Sequence, residues 1–137
     1  MKKNGIINAP ISRVISMMGH TDMITIADAG LPIPSSVERI DLALKRNIPK
    51  FIDTLAVVID VLHIEKAIVA DELLTVSPIM YNEIKKIIPE ELLDTIPHVE
   101  FKEKTAESKA VIRTGEFTPY SNIFLVAGAW GFEPDQD

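Results

Sequence analysis

The chain has 137 residues, of which 47% are hydrophobic and 25% are charged, so it is long enough to bury a sizeable core as one globular domain. Its formal net charge of −6 argues against a nucleic-acid partner and against an anionic membrane surface. The absence of Cys excludes disulfides, zinc–thiolate sites and a catalytic thiol. Because the sequence shows no secretory segment and no apolar run of roughly 20 residues, we expect a cytoplasmic protein.

The first predicted elements are an amphipathic helix and a short buried strand. The apolar residues that share one face of the helix are Ile11, Val14, Ile15 and Met18. Asn8 is the predicted N-cap, and Gly19 is predicted to end the helix in the left-handed conformation. The apolar run that ends at Ala27 predicts the strand. His20 and Asp28 therefore stand near opposite ends of one rigid element.

The middle of the chain alternates predicted strands and helices. Residues 37–42 alternate apolar and charged side chains, which predicts an edge strand. A helix is predicted from Asn47-Ile48-Pro49 to His63, followed by a buried strand over 64–70. Ser77-Pro78 is predicted to open a further helix, which Pro89 ends.

The last third contains one ambiguous stretch and two strands. Residues 92–101 fit a short helix at their start, and an edge strand or a loop towards Phe101. Strands are predicted over 109–113 and 122–127. The pattern predicts an α/β fold: a three-layer α/β/α single domain over 1–137 with a mostly parallel or mixed sheet, in which 133–137 form a frayed tail.

Two ionisable residues suit catalysis, and each also has a purely structural explanation. The imidazole of His20 can donate and accept protons near neutral pH, but a histidine at a helix end can instead bond a terminal carbonyl. Asp28 can orient an imidazole or accept a hydroxyl hydrogen, but it can equally form an Asx turn. The residues alone leave both alternatives open.

The remaining candidates are two histidines and a polar loop. His63 is predicted to be structural, whereas His98 is predicted to lie in an irregular stretch that permits a site. The histidines and carboxylates lack metal-site spacing, so no metal is predicted. Residues 114–122 offer a phenol, hydroxyls and an amide, which suit the hydroxyls of a neutral ligand such as a sugar. An ordinary connection between two strands explains the same loop.

Several motifs resemble the D-ribose pyranase family, whose relatives include the fucose mutarotases. They run in the family's order along nearly the whole chain. The matching stretches are Met1-Lys2-Lys3 through Asn8, Gly19-His20-Thr21-Asp22, Ile26-Ala27-Asp28-Ala29-Gly30-Leu31-Pro32-Ile33-Pro34, Arg39-Ile40-Asp41-Leu42 and Ile112-Arg113-Thr114-Gly115-Glu116-Phe117-Thr118-Pro119-Tyr120-Ser121-Asn122. The Gly30-Leu31-Pro32 segment favours the ribose branch of the family.

The resemblance implies an enzyme that interconverts the pyranose and furanose forms of D-ribose. It implies His20 as the proton donor, and it places the sugar contacts at Asp28, His98, Tyr120, Ser121 and Asn122. It also implies a homo-oligomer, a decamer of two pentameric rings with sites at subunit contacts. Opening and re-closing a hemiacetal requires only proton transfer, so no cofactor is expected. A mutarotase for fucose or another sugar, a non-catalytic sugar-binding accessory of ribose transport, and a structural ring protein are the alternatives.

Overall fold

The computed structural model describes residues 1–129, so the predicted frayed tail at 133–137 lies outside the described residues. Five α-helices and six strands follow one another along these residues, together with two short 3-10 turns at Glu90–Leu92 and Thr105–Glu107. In chain order they are α1 (Ala9–Met17), β1 (Met23–Ala27), β2 (Glu38–Asp41), α2 (Phe51–Ile59), β3 (Ile64–Ala70), α3 (Asp71–Val76), α4 (Pro78–Lys85), β4 (Leu93–Ile96), α5 (His98–Lys104), β5 (Ala110–Arg113) and β6 (Ile123–Ala127). None of these helices is long and apolar enough to cross a membrane.

All six strands form one sheet in the order β2-β5-β1-β6-β3-β4. The pairs β1–β5, β2–β5 and β3–β4 are parallel, whereas β6 runs antiparallel to both β1 and β3. A loop without a crossover helix joins β5 to β6, which lets the chain reverse direction. The predicted α/β fold with a mostly parallel, mixed sheet is confirmed, and residues 37–42 supply the edge strand β2.

Helices cover both faces of the sheet, which gives the predicted three layers. Helices α1 to α4 pack on one face, where side chains such as Val14, Leu55 and Ile84 join the larger core cluster. On the other face α5 places Phe101 on Phe124 of β6, with parallel rings whose centroids are 3.8 Å apart. Because both faces are covered, all five residues of β1 are buried.

The predicted caps are only partly correct. The side chain of Asn8 accepts a hydrogen bond from the backbone N–H of Ile11, as predicted. The prediction for Gly19 is wrong: the chain leaves α1 at Met18 in an extended conformation, and the positive φ of 71° falls on Thr21. The Asp22 carboxylate accepts from the Gly19 N–H, so a side chain completes this turn where a left-handed glycine was expected.

The ambiguous stretch 92–101 contains a strand and a helix, in the reverse of the predicted order. Its first part supplies the edge strand β4, and its second part begins α5 at His98. The expectation that His98 lies in an irregular segment is therefore wrong. The N–H of His98 donates to the carboxylate of Glu72, at 3.1 and 3.2 Å from its two oxygens, and this acceptor for the first turn allows a helix directly after Pro97.

Candidate active site

The centre of the candidate site is a mutual contact between Asp28 and Asn122. Asp28 follows the last residue of β1, and Asn122 precedes the first residue of the adjacent, antiparallel β6. The Asp28 N–H donates to Asn122 Oδ1 at 2.8 Å, and Asn122 Nδ2 donates to Asp28 Oδ2 at 3.3 Å. Asn122 is buried, so these two bonds fix the orientation of both side chains.

Asp28 also forms the Asx turn that was its structural alternative. Its Oδ1 accepts from the N–H groups of Gly30 and Leu31 at 3.0 and 2.9 Å. Burial raises the pKa of Asp28, and the hydrogen bonds from Gly30, Leu31 and Asn122 oppose that rise. Because each carboxylate oxygen has two acceptor positions, the turn leaves capacity for a ligand hydroxyl.

His98 lies beside this pair and packs against Tyr120. The two rings meet edge to face, with centroids 4.9 Å apart, and the His98 ring also stacks over Phe101 at 6.3 Å. Burial and then Lys102 lower the pKa of His98, while Glu72 and Asp28 act in the opposite direction. His98 is therefore a neutral imidazole at neutral pH, able to donate from one ring nitrogen and accept at the other.

Two buried polar atoms at this site have no hydrogen-bond partner among the described residues: His98 Nδ1 and Ser121 Oγ. Buried polar atoms are nearly always paired, so two such atoms in one cluster require an explanation. The His98 ring packs against Tyr120, and Ser121 lies between Tyr120 and Asn122 in the chain. The residue pattern made His98 a candidate and placed Ser121 in a polar loop, but it assigned a sugar contact to each of them only through the family resemblance.

The loop between β5 and β6 is firmly held under the site. Thr114 Oγ1 donates to the carbonyl of Ala27 at 2.7 Å. The buried Glu116 accepts from the N–H of Phe51, the first residue of α2, at 3.1 Å, and its other oxygen accepts from the Thr118 hydroxyl at 2.8 Å. Further along the same loop Tyr120 adopts a positive φ of 62°. Such backbone strain in a non-glycine residue is typical of functional sites.

Two supporting residues were missed by the sequence analysis. Glu72 was not singled out, and Glu116 was noted only as part of a motif. Their contacts are to backbone N–H groups far away in the chain, in α5 and α2, and no local pattern predicts such contacts. The one feature of the sequence that could have drawn attention to Glu116 is its position directly after Gly115 in the longest motif, residues 112–122.

His20 does not join this cluster within one chain. It precedes β1, whereas Asp28 follows β1, and the five intervening strand residues span roughly 16 Å. The imidazole is 53% exposed and contacts Glu65 of β3, with Nε2 2.9 Å from Oε2. A single chain therefore brings together Asp28, His98, Tyr120, Ser121 and Asn122. His20 lies at the opposite end of β1 from these residues.

The chemistry of the cluster suits a neutral ligand with several hydroxyls. It combines a carboxylate, an amide, an uncharged imidazole and a phenol with the aromatic faces that sugar rings pack against. Residues 1–129 contain no group of three or more His, Asp or Glu side chains that is placed to hold a metal ion. The predicted roles of the six site residues stay predictions at this point.

Comparison with known proteins identifies the family. A model of the RbsD / FucU transport protein family matches residues 1–130. The D-ribose pyranase of Coprothermobacter proteolyticus is 53% identical over 128 residues, and that of Laribacter hongkongensis is 49% identical over 128, each match covering 93% of this chain and 98% of the relative.

Solved structures agree with this assignment. The structure of Bacillus subtilis RbsD complexed with D-ribose has a TM-score of 0.90 and 45% identity, over 93% of this chain and 98% of that chain. The fucose mutarotase of Streptococcus pneumoniae in complex with L-fucose has a TM-score of 0.75 over 89% of this chain and 93% of that chain. At 20% identity, this second likeness is one of fold alone. The chain therefore belongs to the RbsD / FucU transport protein family.

Proposed function

We propose that the protein is a D-ribose pyranase, an isomerase that interconverts the β-pyranose and β-furanose forms of D-ribose. The observation that carries the proposal is the contact of Asp28 with Asn122 beside His98 and Tyr120, in a chain 45% identical to a protein solved with D-ribose. Two buried polar atoms here, on His98 and Ser121, have no partner among the described residues. Relatives at about 50% identity are named for this activity.

The reaction needs a proton transfer when the ring opens, a second one when it closes again, and no cofactor. Ring opening moves the proton of the anomeric hydroxyl to the ring oxygen as the bond between C1 and that oxygen breaks, and a different hydroxyl then closes on the carbonyl. A positioned acid–base group typically accelerates such a step by on the order of 100-fold to 10,000-fold. We assign this proton transfer to His20, because an imidazole changes protonation near neutral pH.

The Asp28 cluster holds the sugar. Asp28 and Asn122 orient each other, so a free acceptor of the carboxylate points at a defined position. The neutral His98 and the Ser121 hydroxyl supply the two unpaired atoms, and Tyr120 adds a phenol above the His98 ring edge. Several fixed contacts retain the open-chain aldehyde long enough for it to close through another hydroxyl.

The proposed site is completed by a second copy of the chain. His20 and Asp28 are separated by the length of β1, so one sugar contacts both only if His20 comes from a neighbouring subunit. An apolar groove formed by residues that include Ile7, Pro49 and Val57 supports an oligomer, because Ile7 and Val57 expose 83% and 53% of their surface. We propose the decamer of two pentameric rings that the resemblance implies, and a cytoplasmic location.

Magnetisation-transfer NMR on D-ribose at equilibrium tests the function. The expected result is pyranose–furanose exchange that is faster with catalytic amounts of protein and returns to the uncatalysed rate with His20→Ala. L-Fucose, measured in the same way, is the control for sugar preference. Binding of ribose without faster exchange would support the sugar-binding accessory, and faster exchange of fucose alone would support a fucose mutarotase.

A further inference from the structure

The turn that contains His20 is fixed by backbone contacts on both sides. Asp22 N–H donates to the Gly19 carbonyl at 3.1 Å, and the Asp22 carboxylate accepts from the Gly19 N–H at 2.9 Å. The N–H of Thr21 donates to the carbonyl of Ala127 at the end of β6, at 2.9 Å. Thr21 has a positive φ, an uncommon conformation for a β-branched residue. The backbone of His20 is therefore held, and only its side-chain torsions stay free.

Glu65 removes that remaining freedom. Its Oε2 is 2.9 Å from His20 Nε2. The two strands β3 and β6 are out of regular register at this point, because Ile64 pairs with Ala127 while Lys66 pairs with Val126. Glu65 is thus the additional residue of a β-bulge, a feature that redirects a side chain and occurs often beside active sites.

Gly128 leaves room for this arrangement directly after β6. A Cβ at Gly128 would lie 2.8 Å from Cδ2 of His63 and 3.4 Å from Cβ of Glu65. The Gly128 N–H also donates to the His63 carbonyl at 3.0 Å, which ties the end of β6 to the residue before β3. A larger residue at this position would require the His63 ring to move and would contact Glu65 Cβ.

From these three observations we propose that Glu65 is a positioning residue for His20. This proposal rests on the proposed function. Glu65 accepts the hydrogen of Nε2 and thereby leaves Nδ1 as the nitrogen that takes the proton from the anomeric hydroxyl and returns it to the ring oxygen. Glu65 itself neither gains nor loses a proton and does not contact the sugar.

A purely structural role for Glu65 predicts that Glu65→Ala loses stability, whereas the positioning role predicts that it loses activity at unchanged stability. The side chains of His20 and Glu65 are 53% and 44% exposed, and exposed ion pairs contribute little to the free energy of unfolding. Glu65→Ala is therefore expected to leave the urea midpoint and the oligomeric mass unchanged while it slows ring exchange. Glu38→Ala is the matched control, because Glu38 also forms an exposed ion pair on a strand, with Arg13, but lies on β2.

The test measures D-ribose exchange by wild type, Glu65→Ala, Glu65→Gln and Glu38→Ala over a range of ribose concentrations. Glu65→Ala is expected to lower kcat on the order of tenfold, the size expected for the loss of one hydrogen bond to a charged group, with KM within about twofold of wild type. Glu65→Gln is expected to recover part of kcat, because its amide oxygen still accepts from Nε2. The ¹⁵N signals of His20, assigned with His20→Ala, are expected to shift in Glu65→Ala and not in Glu38→Ala.

Two results would overturn the positioning role: a kcat of Glu65→Ala equal to that of Glu38→Ala, or a loss that appears in KM with kcat unchanged. Failure of the proposed function gives a different result, since the wild type itself would not accelerate exchange. In that case the ¹⁵N signals of His20 still decide whether Glu65 orients the imidazole, and unchanged signals would reject it.

Discussion

Gly115→Ala is expected to destabilise the protein and displace the loop beneath the candidate site. A Cβ at Gly115 would lie 2.5 Å from the carbonyl oxygens of Lys45 and Ile48 and 2.7 Å from the nitrogen of Ile48. These contacts are roughly 1 Å shorter than van der Waals separation, and all three atoms belong to the backbone, so no rotamer change relieves them. Overpacking of this kind costs about 1–3 kcal/mol of the free energy of unfolding.

Urea denaturation at a fixed protein concentration measures this cost. With a slope of about 2 kcal/mol per molar urea, a loss of about 2 kcal/mol lowers the midpoint by about 1 M. Gly19→Ala is the control, because its Cβ would meet only Asp22 Oδ2 at 3.7 Å and should change stability by less than about 0.5 kcal/mol. Equal midpoints for the two variants would refute the close backbone approach at Gly115.

Three further predictions concern residues that support the cluster. Glu116→Ala removes acceptors from the N–H groups of Phe51 and Thr118 and should cost about 1–3 kcal/mol in urea denaturation, whereas Glu116→Gln, which keeps one oxygen, should cost less. Phe101→Ala removes a fully buried ring and should cost about 3–5 kcal/mol; a loss below about 1 kcal/mol would contradict the packing on the second face. Because the pKa of His98 is lowered in the folded protein, the unfolded chain takes up a proton first as the pH falls through about 6.5. The urea midpoint of the wild type should therefore decrease as the pH is lowered further, and it should decrease less in His98→Gln. An equal dependence of the midpoint on pH in the two proteins would contradict this.

Periodicity and turn chemistry predicted most of the fold. The buried strand β1, the edge strand β2 and the helix capped by Asn8 follow from patterns that extend over only a few residues. Gly19 shows the limit of this approach, because the contact between Asp22 and the Gly19 N–H replaced the expected left-handed glycine. The helix at His98 was missed for a similar reason: Glu72, 26 residues earlier, supplies the acceptor for its first turn.

The candidate site was less accessible to the sequence than the fold. Asp28 stood out because it follows a buried strand, and the loop before Asn122 stood out by its hydroxyls and phenol. Residue types alone did not separate the Asx turn of Asp28 from a sugar contact, and the structure contains the turn. His20 precedes β1 and Asp28 follows it, so no pattern within one chain places His20 with the other candidate residues.

The central claim is that catalysis uses His20 of one subunit and the Asp28 cluster of another. Mixing two variants, His20→Ala and Asp28→Asn, unfolding them together and refolding them into common oligomers tests this claim most directly by D-ribose exchange NMR. Each variant alone should be inactive, while random mixing should restore about a quarter of the sites, because a neighbouring pair then supplies one intact His20 and one intact Asp28. A mixture that stays inactive, although mass analysis shows mixed oligomers, would contradict the shared site.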